Sequence, residues 1–315
     1  MNKHLLKRLE QKEYVSGETL AKELNVSRTS IWKHIKSFEQ KGYIFESKKN
    51  KGYRLIFRPD IPIAEEILPY IKTSIIGKKF YHFPSLPSTN SHAKELLKKD
   101  ISEGCVIVTE EQMNGRGRKN RKWFSPKGGL WFSVILYPDI PPQKAMYVTM
   151  AASIAISIAL KEICNINPEI KWPNDILLDG KKICGILTEL DAEMDKINYS
   201  IIGIGLNVNN GIPSALNHSA TSLKKFTGNE VSRVLLLRSI LLHFDKIYQY
   251  IVCKDLDFIQ KTWLSYANII GKEICVHGEK ETIKGRVSDI DENGCLFLST
   301  NKGITHIVAG DIEYI

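Results

Sequence analysis

Paired cysteines are missing from this sequence: its six stand far apart, at 105, 164, 184, 253, 275 and 295, with no Cys-x-x-Cys among them. That spacing signals neither a structural zinc motif nor a redox pair. Scattered thiols fit small core residues in a reducing compartment. A Walker A phosphate loop is also missing. Neither glycine-rich candidate completes G-x-G-x-x-G, because Asn120 and Val208 stand where the third glycine belongs. A nucleotide, if used, is held by another route. The opening MNKHLLKRLEQKEY has no apolar run, so no signal peptide is expected. The longest apolar stretch, AMYVTMAASIAISIAL, is broken by Thr and Ser and falls short of the ~20 residues a membrane span needs. It reads as a buried helix of small residues. The expectation is a cytoplasmic protein with no membrane partner.

What is present is an ordinary globular composition, 43% hydrophobic and 25% charged over 315 residues, long enough for two or three domains. Positive charge is concentrated at one end. Residues 1 to 58 hold 14 Lys or Arg against 6 Asp or Glu, a net +8 out of +9 for the whole chain. In that segment Leu20 and Leu24 lie one helical turn apart, and Ile31, Ile35 and Phe38 follow at i, i+4, i+7. Asn25 and Val26 make a short turn between the two sets, and Ser27 is a good N-cap. This is a helix-turn-helix pattern. Its second helix would present Ser27, Arg28, Thr29, Ser30, Lys33 and His34 at the end that meets base edges. YIFESKKNKGYRLI then reads as a hairpin with a basic tip, a wing. A charge run alone usually means a solvated face; here spacing, cap, wing and charge agree on DNA. Arg58-Pro59-Asp60-Ile61-Pro62 reads as a linker.

From Lys79 onward short strands alternate with helices. KFYHF, a helix after Ser88 to Asn90, a strand ending at Gln112, a strand near Leu130 and a helix over 143 to 163 come first. A hairpin turning at Asp179-Gly180 and the strand SIIGIGLNVN follow. The order predicts an α+β sheet with helices on one face. MNGRGRKNRKW, at 113 to 123, falls in the long loop between two of these strands. Its five basic residues could grip nucleic acid, cradle a phosphate or face water.

STN at 88 to 90, Gln112, GRGRKNRKW at 115 to 123, KWPND at 171 to 175, KICGIL at 182 to 187 and GLNV at 205 to 208 occur in that order. Together they resemble the motifs of biotin protein ligases. With its winged-helix start the chain is similar to the bifunctional bacterial form, ligase and biotin operon repressor in one. The resemblance runs from about residue 5 to the C-terminus, and its GRGR and KWPND motifs are specific in combination. It implies a winged helix-turn-helix over 1–60, a class II synthetase-like ligase domain with a central mixed sheet over 65–268, and a small SH3-like β barrel over 269–315.

The resemblance further implies ATP with Mg²⁺, biotin as substrate, and biotinyl-AMP as intermediate and co-repressor. The implied partners are a lysine of a biotin carboxyl carrier protein, operator DNA and a second copy in a homodimer. By motif, Ser88, Thr89, Asn90 and Gln112 would bind the biotin head, with Arg116, Gly117, Arg118, Lys182 and Gly185 completing that subsite. Ser88 to Asn90 also fit a plain helix cap. Arg116, Arg118, Arg121, Trp123, Asn174 and Asn207 would hold the ATP or adenylate. Arg118, Lys182 and Asp175 are the catalytic candidates, and no protein ligand is assigned to the metal. Strict alternation would put Lys182 and Gly185 on opposite faces of their strand, so Lys182 rests on the motif. Lys119, Asn120 and Cys184 fill variable or small-residue positions. The match is poorest over 210–230, where Phe226 is the candidate for stacking adenine. A ligand-sensing regulator without ligase activity and a lipoate-type ligase are the competing readings.

Overall fold

The computed structural model describes residues 4–11, 13–278 and 282–315. By contact the chain forms two compact units, 1–72 with 232–238, and 73–231 with 239–315.

The first unit holds α1 (Leu5–Arg8), α2 (Gly17–Glu23), α3 (Arg28–Gln40), β1 (Ile44–Lys48), β2 (Gly52–Phe57) and α4 (Ala64–Ile67). Ser27 Oγ accepts from the Ser30 N–H, the cap expected, and Ser16 Oγ caps α2 from the Thr19 N–H. Leu5, Leu6, Leu9, Leu20, Ile31, Ile35 and Phe38 close a small core. β1 and β2 pair antiparallel, and Val15 exchanges both backbone hydrogen bonds with Tyr53 at 2.9 Å. Gly52 makes that approach possible: its φ is +103°, and a Cβ there would lie 2.0 Å from the Val15 carbonyl oxygen. Gly52→Ala is expected to destabilise this unit by at least about 1–3 kcal/mol, the scale of a strained backbone position. Lowered thermal melting of the winged-helix transition would register it; an unchanged melt would mean the hairpin shifts freely. The segment read as a linker is pinned. The Asp60 carboxylate accepts the N–H of Arg233 at 2.8 Å and of Val234 at 3.0 Å, capping α8 (Arg233–Val252), a helix that belongs to this unit only through Arg238.

The second unit contains β3 (Phe80–Phe83), α5 (Thr89–Leu97), β4 (Cys105–Thr109), β5 (Leu130–Leu136), α6 (Met146–Cys164), β6 (Glu169–Lys171), β7 (Asp175–Leu178), β8 (Lys181–Ala192), β9 (Ile197–Leu206) and α7 (Leu223–Thr227). The rest of α8 (Arg233–Val252), then α9 (Leu256–Ala267) and β10 (Glu273–His277) follow. β11 (Thr282–Ile290), β12 (Leu296–Thr300), β13 (Gly303–Ile307) and β14 (Asp311–Tyr314) end the chain. Seven strands form a mixed sheet in the order β3-β4-β5-β9-β8-β7-β6, parallel only between β3 and β4.

Helices cover both faces of that sheet, not one. β4 and β5 are buried along their whole length, which requires cover on both sides. Ile201 packs with Ala93 and Leu96 of α5. On the other face Thr188 meets Thr149 of α6 at 2.7 Å. With its preceding turn α6 reaches 23 residues, long and apolar enough to cross a membrane by length and composition alone, but most of it is buried inside the protein. The C-terminal barrel of the sequence reading is a five-stranded antiparallel sheet ordered β13-β12-β11-β10-β14.

Candidate active site

The basic stretch is a folded hairpin. Gln112 takes the Ser125 carbonyl at 3.0 Å, the Trp123 N–H donates to the Gly115 carbonyl at 2.9 Å, and the Gly117 N–H to the Arg121 carbonyl at 2.8 Å. Lys119 and Asn120 turn the chain with φ of 54° and 56°. The two glycines do different work. A Cβ on Gly115 would lie 2.4 Å from the Trp123 carbonyl oxygen, so internal packing demands glycine there. A Cβ on Gly117 would meet only the Arg121 carbonyl oxygen, at 3.7 Å. Nothing in its packing among the described residues demands glycine there.

The hairpin closes over a glycine floor. Gly185 of β8 and Gly205 of β9 are register partners, and the Trp123 indole lies on both. Added Cβ atoms would come within 3.1 Å and 2.3 Å of it respectively. The indole N–H is buried without a hydrogen-bond partner among the described residues. Lys182 Nζ stands 5.2 Å over the same ring. Lys182 and Gly185 therefore share a face, against strict alternation. The reason is a β-bulge: the β7–β8 register shifts so that Leu177 opposes Lys182 while Ile176 opposes Cys184. The extra residue restores the side that alternation would have lost.

At one end of the cavity is a buried amide and hydroxyl cluster. Ser88, Thr89 and Asn90 are each at most 5% exposed. The Thr89 N–H donates to Gln112 Oε1 at 2.9 Å, and Gln112 Nε2 donates to Ser125 Oγ at 2.9 Å. Ser133 Oγ lies 2.7 Å from Thr89 Oγ1 and 2.6 Å from Asn90 Oδ1. Ser88 also caps α5, so the cap and the cavity wall are the same residue.

At the other end the charges are matched internally. Lys182 Nζ is 2.6 Å from Asp175 Oδ1, a contact by charge and not by an aligned hydrogen bond, since that oxygen has no hydrogen-bond partner among the described residues. Asn174 Oδ1 accepts from Arg118 at 3.1 Å. Asp311, at the start of β14, collects three cations of the hairpin: Arg121 at 2.6 Å, Lys119 at 3.5 Å and Arg118 at 3.7 Å. Burial alone would raise the Asp311 carboxyl, but Arg121, Lys119 and Arg118 outweigh it and hold it below the ordinary range. A lowered carboxylate value means this tether is complete above about pH 4 and is lost as pH falls through the lowered value. Asp311→Asn is expected to speed amide hydrogen exchange over 115–123 by roughly tenfold at neutral pH, about one charge-assisted hydrogen bond; equal exchange in the two proteins would show the hairpin holds itself. Arg116 faces Glu189 at 3.7 Å. Burial would raise Glu189 too, but Lys94, Asn90 and Arg116 hold it low.

Together these groups enclose a cavity of about 530 Å³. All the ligase-site residues named from the sequence line it, Asn207 included. So do residues the sequence reading missed: Ile212, Pro213, Leu216, His218, Ser219 and Ala220. They form a wall pinned to β8 by the Lys182 N–H on the Ser219 carbonyl, 2.8 Å, and the Thr221 N–H on the Lys182 carbonyl, 3.0 Å. Phe226 does not line the cavity; its ring is 39% exposed on α7. That part of the wall is mainly aliphatic side chains and backbone, with no Phe, Tyr or Trp ring from 210–230 in the lining among the described residues.

In the first unit, Ser27, Arg28, Thr29 and Lys33 are exposed on α3, Ser30 and His34 partly so, with Ser30 Oγ and His34 Nε2 3.2 Å apart. Trp32, 52% exposed on the same helix, was not singled out from the sequence. The wing tip, Lys48 to Lys51, is exposed throughout.

Family models match three segments: an HTH domain over 2–54, the Biotin/lipoate A/B protein ligase family over 82–207, and the Biotin protein ligase C terminal domain over 269–314. The chain is 41% identical over 305 residues to the bifunctional ligase/repressor BirA of Bacillus subtilis, covering 96% of this chain and 94% of that protein. It belongs to the bifunctional ligase/repressor family of biotin protein ligases. The Escherichia coli member is 28% identical, covering 96% of this chain and 93% of that one. Among solved structures, the biotin protein ligase of Aquifex aeolicus in complex with biotin and ATP matches with a TM-score of 0.65 at 30% identity, over 76% of this chain and 99% of that chain. The family's ligase segment spans the hairpin, the glycine floor and Lys182, and its HTH segment spans the basic helix and wing.

Proposed function

We propose that this chain activates biotin with ATP, transfers it to a lysine of a biotin carboxyl carrier protein, and represses biotin-synthesis genes when acceptor is scarce. The observation that carries the ligase reading is the cavity itself: a buried amide and hydroxyl end, a glycine floor, and an end lined by Arg116, Arg118, Arg121 and Lys182. The polar end suits the ureido ring of biotin, which needs paired donors and acceptors. The cationic end suits a carboxylate approaching a triphosphate. Two such anions ~4 Å apart repel by about 1 kcal/mol per charge pair in water and by more as the site dries.

In the first step a biotin carboxylate oxygen attacks the α-phosphorus, the bond to the bridging oxygen breaks, and pyrophosphate leaves. Lys182 and Arg118 would offset the charge that builds on the α-phosphoryl oxygens. Arg116 and Arg121 would leave Glu189 and Asp311 for substrate oxygens. Asn174 and Asp175 bring oxygen atoms beside Arg118 and Lys182. Mg²⁺ on the phosphates would neutralise charge there. The hairpin and Trp123 would keep water from the acyl-adenylate. In the second step the acceptor lysine's neutral ε-amine attacks the acyl carbon, AMP leaves with the ester oxygen, and the amine proton goes to solvent or a base.

For repression, biotinyl-AMP would set the hairpin surface and favour a homodimer in the cytoplasm, placing two α3 helices on a two-fold operator. The testing experiment is ATP–pyrophosphate exchange with biotin and with lipoate. Exchange with biotin alone is expected. Exchange with lipoate alone, or with neither acid, would overturn the ligase reading. For the second activity, loaded protein that sediments as a monomer and binds biotin-promoter DNA no better than unloaded protein would remove repression.

A further inference from the structure

The turn from β11 to β12 gathers three metal-ligating side chains far from any cysteine motif. A carboxylate oxygen of Asp291, the thiol sulfur of Cys295 and an imidazole nitrogen of His306 all lie within 4.8 Å of one another. It is the one such group among the described residues. Asp291 Oδ1 is fixed by the N–H groups of Asn293 and Cys295, each at 2.8 Å, while Oδ2 meets His306 Nε2 at 2.8 Å. Cys295 is buried, the Asp291 side chain is 14% exposed and that of His306 44%. The cluster is thus walled on the sulfur side and open on the imidazole side.

The ligands are held before any ion arrives. The Ile290 and Asp291 carbonyls accept from Gln260, the Glu292 carbonyl from Tyr147 at 2.9 Å, and the Gly294 carbonyl from the Trp172 indole at 3.0 Å. Gly294 sits at φ +82°, with no room for a Cβ against Met146 and Met150. The His306 ring packs 4.9 Å from that of Phe297. A plain Asx turn with a surface His–Asp pair would account for two of the three side chains; the buried thiol is a third donor brought to the same point.

We propose that Asp291, Cys295 and His306 bind a borderline-soft divalent ion of the Zn²⁺ type, with water as fourth ligand on the open side. One sulfur, one nitrogen and one oxygen donor favour such an ion over Mg²⁺ or Ca²⁺, which take oxygen ligands. On binding, the thiol proton leaves to solvent, the Asp291–His306 hydrogen bond opens, and each ligand closes to ~2.0–2.3 Å. The ion would brace the turn whose Gly294 carbonyl accepts from the Trp172 indole, two residues before Asn174 in the cavity wall. This inference is independent of the ligase reading.

The test uses the full chain, reduced, freed of metal and without ATP, with Co²⁺ as the probe. A thiolate-to-cobalt charge-transfer band in the near-ultraviolet and strong four-coordinate visible bands are expected, both removed by one equivalent of Zn²⁺. Cys295→Ser should abolish the charge-transfer band. His306→Ala removes a surface pair with Asp291 and a ring contact with Phe297, so it should lower metal-free melting only slightly, but it should weaken Zn²⁺ by more than about 100-fold, beyond the 10–100-fold of an outer-shell change. If the Ser variant does not fold, the His306 variant decides alone. No thiolate band in the wild-type protein, a band that persists in Cys295→Ser, or unchanged Zn²⁺ affinity in His306→Ala would overturn the proposal.

Discussion

Biotin-dependent exchange of pyrophosphate into ATP is expected to fall by about 10²–10³-fold when Lys182 is replaced by Met. That is the usual cost of removing one preorganised donor from a site of charge development. Lys182 is held for that work from several sides. The bulge turns it to the cavity, its backbone is paired to Ser219 and Thr221, and its ammonium lies 2.6 Å from Asp175 and over the Trp123 ring. The side chain is 31% exposed, so its loss should leave the fold and the melting temperature nearly unchanged. The loss should fall more on turnover than on biotin affinity, because part of the charge it offsets builds only in the transition state. A variant that exchanges pyrophosphate as fast as wild type would remove Lys182 from the chemistry.

The second large effect is expected from one methyl group. Gly205→Ala would place a Cβ 2.3 Å from Trp123 Nε1, where ordinary contacts begin near 3.4 Å. The backbone of β9 cannot retreat, since it is paired on both sides, to β5 and to β8. The indole must therefore move by about an ångström. A displacement of that size costs on the order of 10²-fold where groups are positioned for reaction. The rate of biotin-dependent ATP–pyrophosphate exchange is expected to drop by about that factor, and the melting temperature by a few degrees, since forcing a methyl into a packed site costs about 1–3 kcal/mol. A wild-type exchange rate in the variant would mean that the indole's seat on the glycines is incidental to the chemistry.

Much of this site was legible because its signals are local. The N-cap serines read correctly, since a cap is decided by a residue and the N–H groups three positions on. The basic first 58 residues read correctly because charge needs no fold to be counted. Gln112 belonged with Ser88 to Asn90, although the strand leading to it stops at Thr109 and Gln112 pairs only as an isolated bridge. The resemblance to the ligase motifs placed the site residues in one group, and their side chains do share one cavity.

What composition, spacing and motif determined was the division into a basic winged helix and an adenylate-type site, and the charged, amide and glycine part of that site's lining. Tertiary structure decided the rest. A bulge at one strand pair puts Lys182 and Gly185 on one face, which alternation cannot foretell because the extra residue is set by pairing with β7. Asp311 meets Arg121 across 190 residues of chain. The wall over 212–220 has no side-chain pattern, being fixed by backbone bonds to β8. Asp291, Cys295 and His306 converge without any ligand motif because the pairing of β12 with β13 brings His306 back over the turn. Each of these depends on which strands pair and in what register. That is settled by burial over the whole sheet, not within any window of sequence.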